Sequence, residues 1–176
     1  MKKFFKILIC ALLVIAFAAL AACKAKDPKP VDTNTPAPAK EYSADELAKA
    51  IFDNVPFEDE YLTAVEDREF AMKFYGIDPA LVAEKDGVKQ IAVYTSGSYP
   101  EMIVCVKAVD EASADKVLEP IRKLIETYIN NYTNYGPEQI SKLETAVVVK
   151  DGANVTVAVT NDNSAASSFI KDYIGK

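Results

Sequence analysis

The sequence predicts an α+β domain: a four-stranded antiparallel sheet built from two hairpins, with helices packed mainly on one face. Three observations predict it. Short apolar runs at 91–95 and 101–108, and again at 146–150 and 155–160, are joined in pairs by a few turn-forming residues. Apolar side chains recur at helical spacing before, between and after those pairs. Residues 42–176, which follow a leader and a Pro-rich stretch, are enough for one hydrophobic core and too few for two.

The leader comes first. Lys2, Lys3 and Lys6 precede an unbroken apolar run over 7–22. As a helix those residues rise about 24 Å, short of the roughly 30 Å hydrocarbon core, so residues 1–22 read as a signal peptide rather than a span. Leu20-Ala21-Ala22-Cys23 resembles the lipobox of bacterial lipoproteins. The resemblance implies cleavage before Cys23 and a diacylglycerol thioether, with palmitate-type acyl chains, on its sulfur. It also implies a place on the extracytoplasmic face of the cell membrane, held there by the lipid. Residues 23–41 carry Pro28, Pro30, Pro36 and Pro38 among Asp, Thr, Asn and Lys, and read as a solvated tether with a reach of about 50 Å.

Ser43-Ala44-Asp45-Glu46 opens the domain of residues 42–176 as a capping box, with Leu47, Ala50 and Ile51 on one helical face. An acidic connector follows over 57–62. A second helix is expected from about Glu66 to Tyr75, where Phe70 and Phe74 share a face and Gly76 takes the left-handed stop. Asp78-Pro79 starts a short turn of helix. Ile91, Val93 and Thr95 then alternate with Gln90, Ala92 and Tyr94 as a strand, and 101–108 returns as its hairpin partner. Asp110 opens the longest helix, expected to about Asn131, with Val117, Ile121, Leu124, Ile125, Tyr128 and Tyr132 on one stripe. Pro120 within it predicts a kink or break. Gly136-Pro137 leads into a short helix through Lys142. Asp151-Gly152-Ala153-Asn154 joins the second pair of strands, and Asn161-Asp162-Asn163-Ser164 caps a last helix with Ala166, Phe169, Ile170 and Tyr173 on one face.

Several of these motifs stand together in a familiar order. They are the lipobox and tether, Ser43-Ala44-Asp45-Glu46-Leu47, Tyr75-Gly76-Ile77-Asp78, a hairpin, Ala112-Ser113-Ala114-Asp115-Lys116-Val117, and Ala146-Val147-Val148-Val149 before a glycine turn. In that order the chain resembles a bacterial lipoprotein family defined only as domain of unknown function 4358, over most of 42–174. The resemblance implies an envelope lipoprotein and supplies no activity, cofactor or catalytic residue.

Composition removes several functions. Without its first 22 residues the chain holds 17 basic and 26 acidic side chains, a balance of −9, which argues against nucleic acid as a partner. It has no histidine, so Ser-His and Cys-His nucleophile pairs are excluded and the commonest transition-metal ligand is missing. Cys10 leaves with the leader, Cys23 is the lipidation site, and Cys105 inside Met102-Ile103-Val104-Cys105-Val106 reads as core. No metal, cofactor or catalytic site is assigned. Glu58, Asp59, Glu60, Glu66, Asp67 and Glu69 form the densest acidic patch; without the glycine turn of a calcium loop they read as a solvated face. Asp151-Gly152-Ala153-Asn154 and Asn161-Asp162-Asn163 read as turn and cap chemistry. Tyr128, Tyr132 and Tyr135, with Asn130, Asn131 and Asn134, have the residue types that stack on a sugar or peptide, and also those that close a core edge.

The expected function is therefore a membrane-anchored envelope lipoprotein acting as a non-enzymatic binding or scaffolding module, its partner another protein or the cell wall. The alternative is a small hydrolase that uses a pair of carboxylates on a wall glycan.

Overall fold

In chain order the elements are α1 (Ala44–Asn54), β1 (Thr63–Ala64), α2 (Arg68–Phe74), β2 (Glu84–Lys85), β3 (Val88–Lys89), β4 (Ile91–Thr95), β5 (Met102–Lys107), α3 (Glu111–Tyr135), α4 (Ile140–Glu144), β6 (Val147–Asp151), β7 (Asn154–Val159) and α5 (Asn163–Ile174). Single 3-10 turns lie at Pro79–Leu81 and Pro137–Gln139. This computed structural model describes residues 41–96 and 99–176. The leader, Cys23, the tether up to residue 40 and residues 97 and 98 lie outside the described residues.

The α+β class holds, with two corrections. The main sheet has five strands, in the order β1-β4-β5-β7-β6, and a separate two-stranded ribbon pairs β2 with β3. The fifth strand, β1, is only two residues long and pairs with Thr95 and Tyr94, too short to leave a periodic signature. The ribbon turns through Asp86 and Gly87, both at positive φ, the backbone that an Asp-Gly type I′ turn requires.

The second correction concerns the helices, which cover both faces. On one face α1 and α5 bury Leu47, Ile51, Ala166 and Ile170 against Ala92, Ile103, Cys105, Val147 and Ala158. On the other, α2, α3 and α4 bury Met72, Val117, Ile121, Ile125 and Leu143 against Ile91, Val93, Val104, Val106, Val155 and Val157. The physical reason lies in the central strands. Residues 102–106 of β5 and 155–159 of β7 are buried without interruption, so both pleated faces need a cover.

Local rules place most of the helix ends. Ser43 and Glu46 form the reciprocal capping box. Asp67, Asp78, Asp110 and Asp162 each accept a backbone N–H at a helix start, and Gly76 turns at φ 67° after α2. The second helix is shorter than its pattern, 68–74, because Asp67 caps it. Its packed face is Ala71 and Met72, while Phe70 and Phe74 stack on each other in solvent at a centroid distance of 6.1 Å. The long helix is assigned without a break from Glu111 to Tyr135 with Pro120 inside it. Pro120 lies beside Gly76, whose position would bring a Cβ to 3.4 Å from the proline Cβ.

Candidate functional site

Two places concentrate polar chemistry. The first lies at the end of the sheet where β5 begins. Glu101, fully buried, accepts hydrogen bonds from the backbone N–H groups of Glu58 (2.9 Å) and Asp59 (2.9 Å) and from Lys142 Nζ (3.0 Å). Lys142, its side chain 12% exposed, also pairs with the Glu58 carboxylate. Burial opposes the charge on Lys142, but its bonds to Glu58 and Glu101 outweigh that and raise its pKa. The Glu58 carboxyl is held below its ordinary value, chiefly by the Lys142 hydrogen bond. Asp59, also buried, accepts the Tyr61 N–H at 2.9 Å and the Ser96 hydroxyl. Burial pushes the Tyr132 phenol up, and the nearby charge of Asp59 adds to it. The acidic connector and the tyrosine stripe of α3 thus meet at one end of the molecule.

A buried carboxylate holding three donors is a clamp. Glu101 ties the 57–62 connector to β5, and Lys142 ties α4 to both. Catalysis by paired carboxylates needs oxygens free to take a proton or attack a substrate. Here the oxygens are spent on backbone amides, a hydroxyl and a lysine. Among the described residues no group of three or more Cys, Asp or Glu side chains stands close enough to hold a metal ion.

The second place is the outer edge of β6. The β6–β7 turn runs through Gly152 (φ 56°) and Ala153, the pattern of a two-residue type II′ hairpin, which makes Asp151 and Asn154 a mutually hydrogen-bonded pair. Antiparallel pairs alternate, so Val149 and Val147 also bond to β7, while the N–H and C=O of Val148 and Lys150 point away from the sheet. No described residue bonds to those outward groups. The opposite edge is closed by contrast. Along β4 the Val93 carbonyl accepts the Val65 N–H at 2.9 Å, and Arg68 donates to the carbonyls of Lys89 (2.9 Å) and Ile91. Arg68 is held in turn by Asp45 at 2.9 Å.

Beside the open edge runs a groove of about 610 Å³ between residues 145–149 and α5, with Ser164, Ser167 and Lys171 on the helix side. Their spacing of three and four residues puts them on one helical stripe. One end is fixed by Asn163, whose amide donates to the Lys142 carbonyl (2.7 Å) and the Thr145 hydroxyl (2.9 Å). The other end is fixed by the Lys176–Asp151 ion pair at 2.7 Å. The helix therefore runs alongside β6 in the same direction. The arrangement offers backbone donors and acceptors beside a polar trough, which is what an added strand uses.

The model of the family described as "Domain of unknown function (DUF4358)" matches residues 57–160. The chain belongs to that family. No curated protein and no solved structure matches the chain significantly. The DUF4358 segment takes in every strand, α2 to α4, and the whole Glu58–Glu101–Lys142 clamp. It ends at Thr160, before α5, the helical wall of the groove.

The residues singled out in the sequence scatter. Of the acidic patch only Asp59 is buried; Glu58, which pairs with Lys142, and Asp67, which caps α2, are exposed with the rest, so the patch is a solvated face apart from Asp59. Glu60, Glu66 and Glu69 are all exposed. Tyr128 and Tyr132 stand edge-on at 6.4 Å and pack partly into the core, whereas Tyr135 is 90% exposed. Cys105 is core, and burial pushes its thiol up to about 12. Cys23 lies outside the described residues. Sequence reasoning misses Glu101 and Lys142, whose partners are more than forty residues away in the chain. It also misses the free edge, since strand order is not written in any local pattern.

Proposed function

We propose that the chain is a lipid-anchored module on the extracytoplasmic face of a cell membrane, which binds a partner without chemistry of its own through the free edge of β6. The observation that carries the binding half is the contrast between the two edges: β4 is sealed by Val65 and Arg68, whereas the outward groups of Val148 and Lys150 have no partner among the described residues and Val148 borders a groove. Exposed edges invite pairing, and natural proteins block those they do not use. The anchoring half rests on Leu20-Ala21-Ala22-Cys23 behind a charged, apolar leader. No described helix is long and apolar enough to cross a membrane, and a lipid on Cys23 would supply the attachment.

The hydrolase alternative draws little support, because the carboxylates brought together are committed to the clamp. The test is direct. The full chain expressed in a bacterium should incorporate radiolabelled palmitate, and Cys23→Ser should abolish the label and release the protein from the membrane fraction. An unlabelled, soluble wild type would overturn the anchor. Turnover of wall fragments that disappears in Asp59→Asn while the fold persists would overturn the non-enzymatic reading.

A further inference from the structure

We infer that the occupant of the β6 edge is an extended, proline-free peptide segment of a partner protein, carrying a carboxylate opposite Val149. The inference rests on the proposed function's reading of that edge and names the chemistry of the guest. Lys171 decides it. From Asn163, held at Thr145, Lys171 lies eight residues along α5, about 12 Å at helical rise. From Thr145 to Val149 along the strand is about 13 Å. Lys171 thus stands level with Val149, on the face of the sheet that α5 covers. A guest residue paired with Val149 points its side chain to that same face.

Among the described residues Lys171 makes no ion pair, and it is the only basic side chain lining the groove. The other groups on its stripe, Ser164 and Ser167, are short hydroxyls that leave room and accept small polar side chains. The guest residues on either side of the carboxylate pair with Val148 and Lys150. They must donate and accept backbone hydrogen bonds, which excludes proline there. Their side chains lie on the opposite face beside Val148, where β-branched residues pack well.

A second copy of this chain fits less well. Two-fold pairing about Val149 sets Val149 against itself, and pairing about Val148 sets Val147 against Val149. Either arrangement brings valine rather than a carboxylate over Lys171. Pairing about Lys150 does set Asp151 opposite Val149, but it places Lys150 against itself and the Gly152 turn against Val148, with Asp151 already held by Lys176. The acidic net charge of the chain also opposes self-association.

The probe is a fluorescein-labelled pentapeptide, TVEVT, titrated against the full chain in detergent and read by anisotropy and by amide hydrogen exchange. TVEVT should bind saturably and slow exchange at Val148 and Lys150. TVQVT should bind about fivefold more weakly, the size of one partly exposed ion pair. TPEPT should not bind. Lys171→Glu should reverse the preference, so that TVKVT binds more tightly than TVEVT. Equal binding and equal protection by TVEVT and TVQVT would overturn the carboxylate while leaving strand addition standing. Absence of protection at Val148 and Lys150 with every peptide would overturn strand addition itself. Protection that grows with protein concentration without peptide would assign the edge to a second copy and overturn the inference.

Discussion

Replacing Lys142 with methionine isolates the energetics of the clamp. The substitution keeps an unbranched apolar stem, with sulfur in place of the δ-methylene, and removes the ammonium. Glu101 is then fully buried with two backbone donors and no cation. Breaking a buried pair by removing one partner costs about 3–5 kcal/mol, because the remaining charge has lost its compensation. Glu101→Gln should cost less, about 1–3 kcal/mol, since the amide oxygen still accepts from Glu58 and Asp59 and Lys142 keeps Glu58. The double variant should be more stable than the sum of the two losses predicts, as expected for residues that share one interaction. Urea unfolding of the full chain at pH 7, followed by far-ultraviolet circular dichroism, reads these costs as midpoint shifts at constant slope. A Lys142→Met variant within about 1 kcal/mol of wild type would refute the clamp, because that is the scale of an exposed pair.

Other outcomes follow from single residues. Gly76→Ala should destabilise by about 1–2 kcal/mol, since alanine must adopt φ 67° beside Pro120, and the same urea titration measures it. In a chain with Cys10 and Cys23 replaced by serine, iodoacetamide should leave Cys105 unmodified at pH 8 and label it fully in urea, because burial pushes its thiol up to about 12. The pH profile has a defined sign. Glu58, lowered chiefly by its Lys142 bond, and Asp110, lowered chiefly by Ser113, stabilise the fold above their unfolded values and lose that contribution as pH falls through their depressed folded values. Lys142, raised by its carboxylate partners against burial, loses its contribution only as pH rises above its ordinary value of 10.5. With no histidine in the chain, thermal melts should give a flat plateau from about pH 6 to 8 and an acid limb that becomes shallower in Glu58→Gln.

Features governed by neighbours in the chain are legible in the amino-acid sequence. Ser43 with Glu46, Asp78 before Pro79, Asp110, and the Gly152 turn each solve a local backbone problem with a nearby side chain, so the residue types announce the element. The Asp86-Gly87 turn carries an equally local signal for the β2–β3 ribbon, though the strands it joins are too short to show a period. The cover on both faces is also written in the unbroken apolar run 102–106 of β5, which strict alternation would not produce, whereas β7 alternates valine with Thr156 and Ala158 and hides it. What stays hidden is non-local. Glu101 follows Pro100 at the mouth of a strand and looks like any solvated turn acid; only the arrival of the 57–62 connector and of Lys142 buries it. Arg68 likewise looks like an ordinary first-turn residue until the fold brings the carbonyls of Lys89 and Ile91 to it. The candidate binding edge is hidden for the same reason, because being last in a strand order is a property of the whole sheet.

Residue-resolved hydrogen exchange on the dilute, peptide-free chain reports on the open edge itself. Exchange should be fast at Val148 and Lys150 and slow at Val147 and Val149, whose amides are bonded to β7. Equal protection at all four positions would contradict an open edge, since something would then already cover the strand proposed to receive a guest.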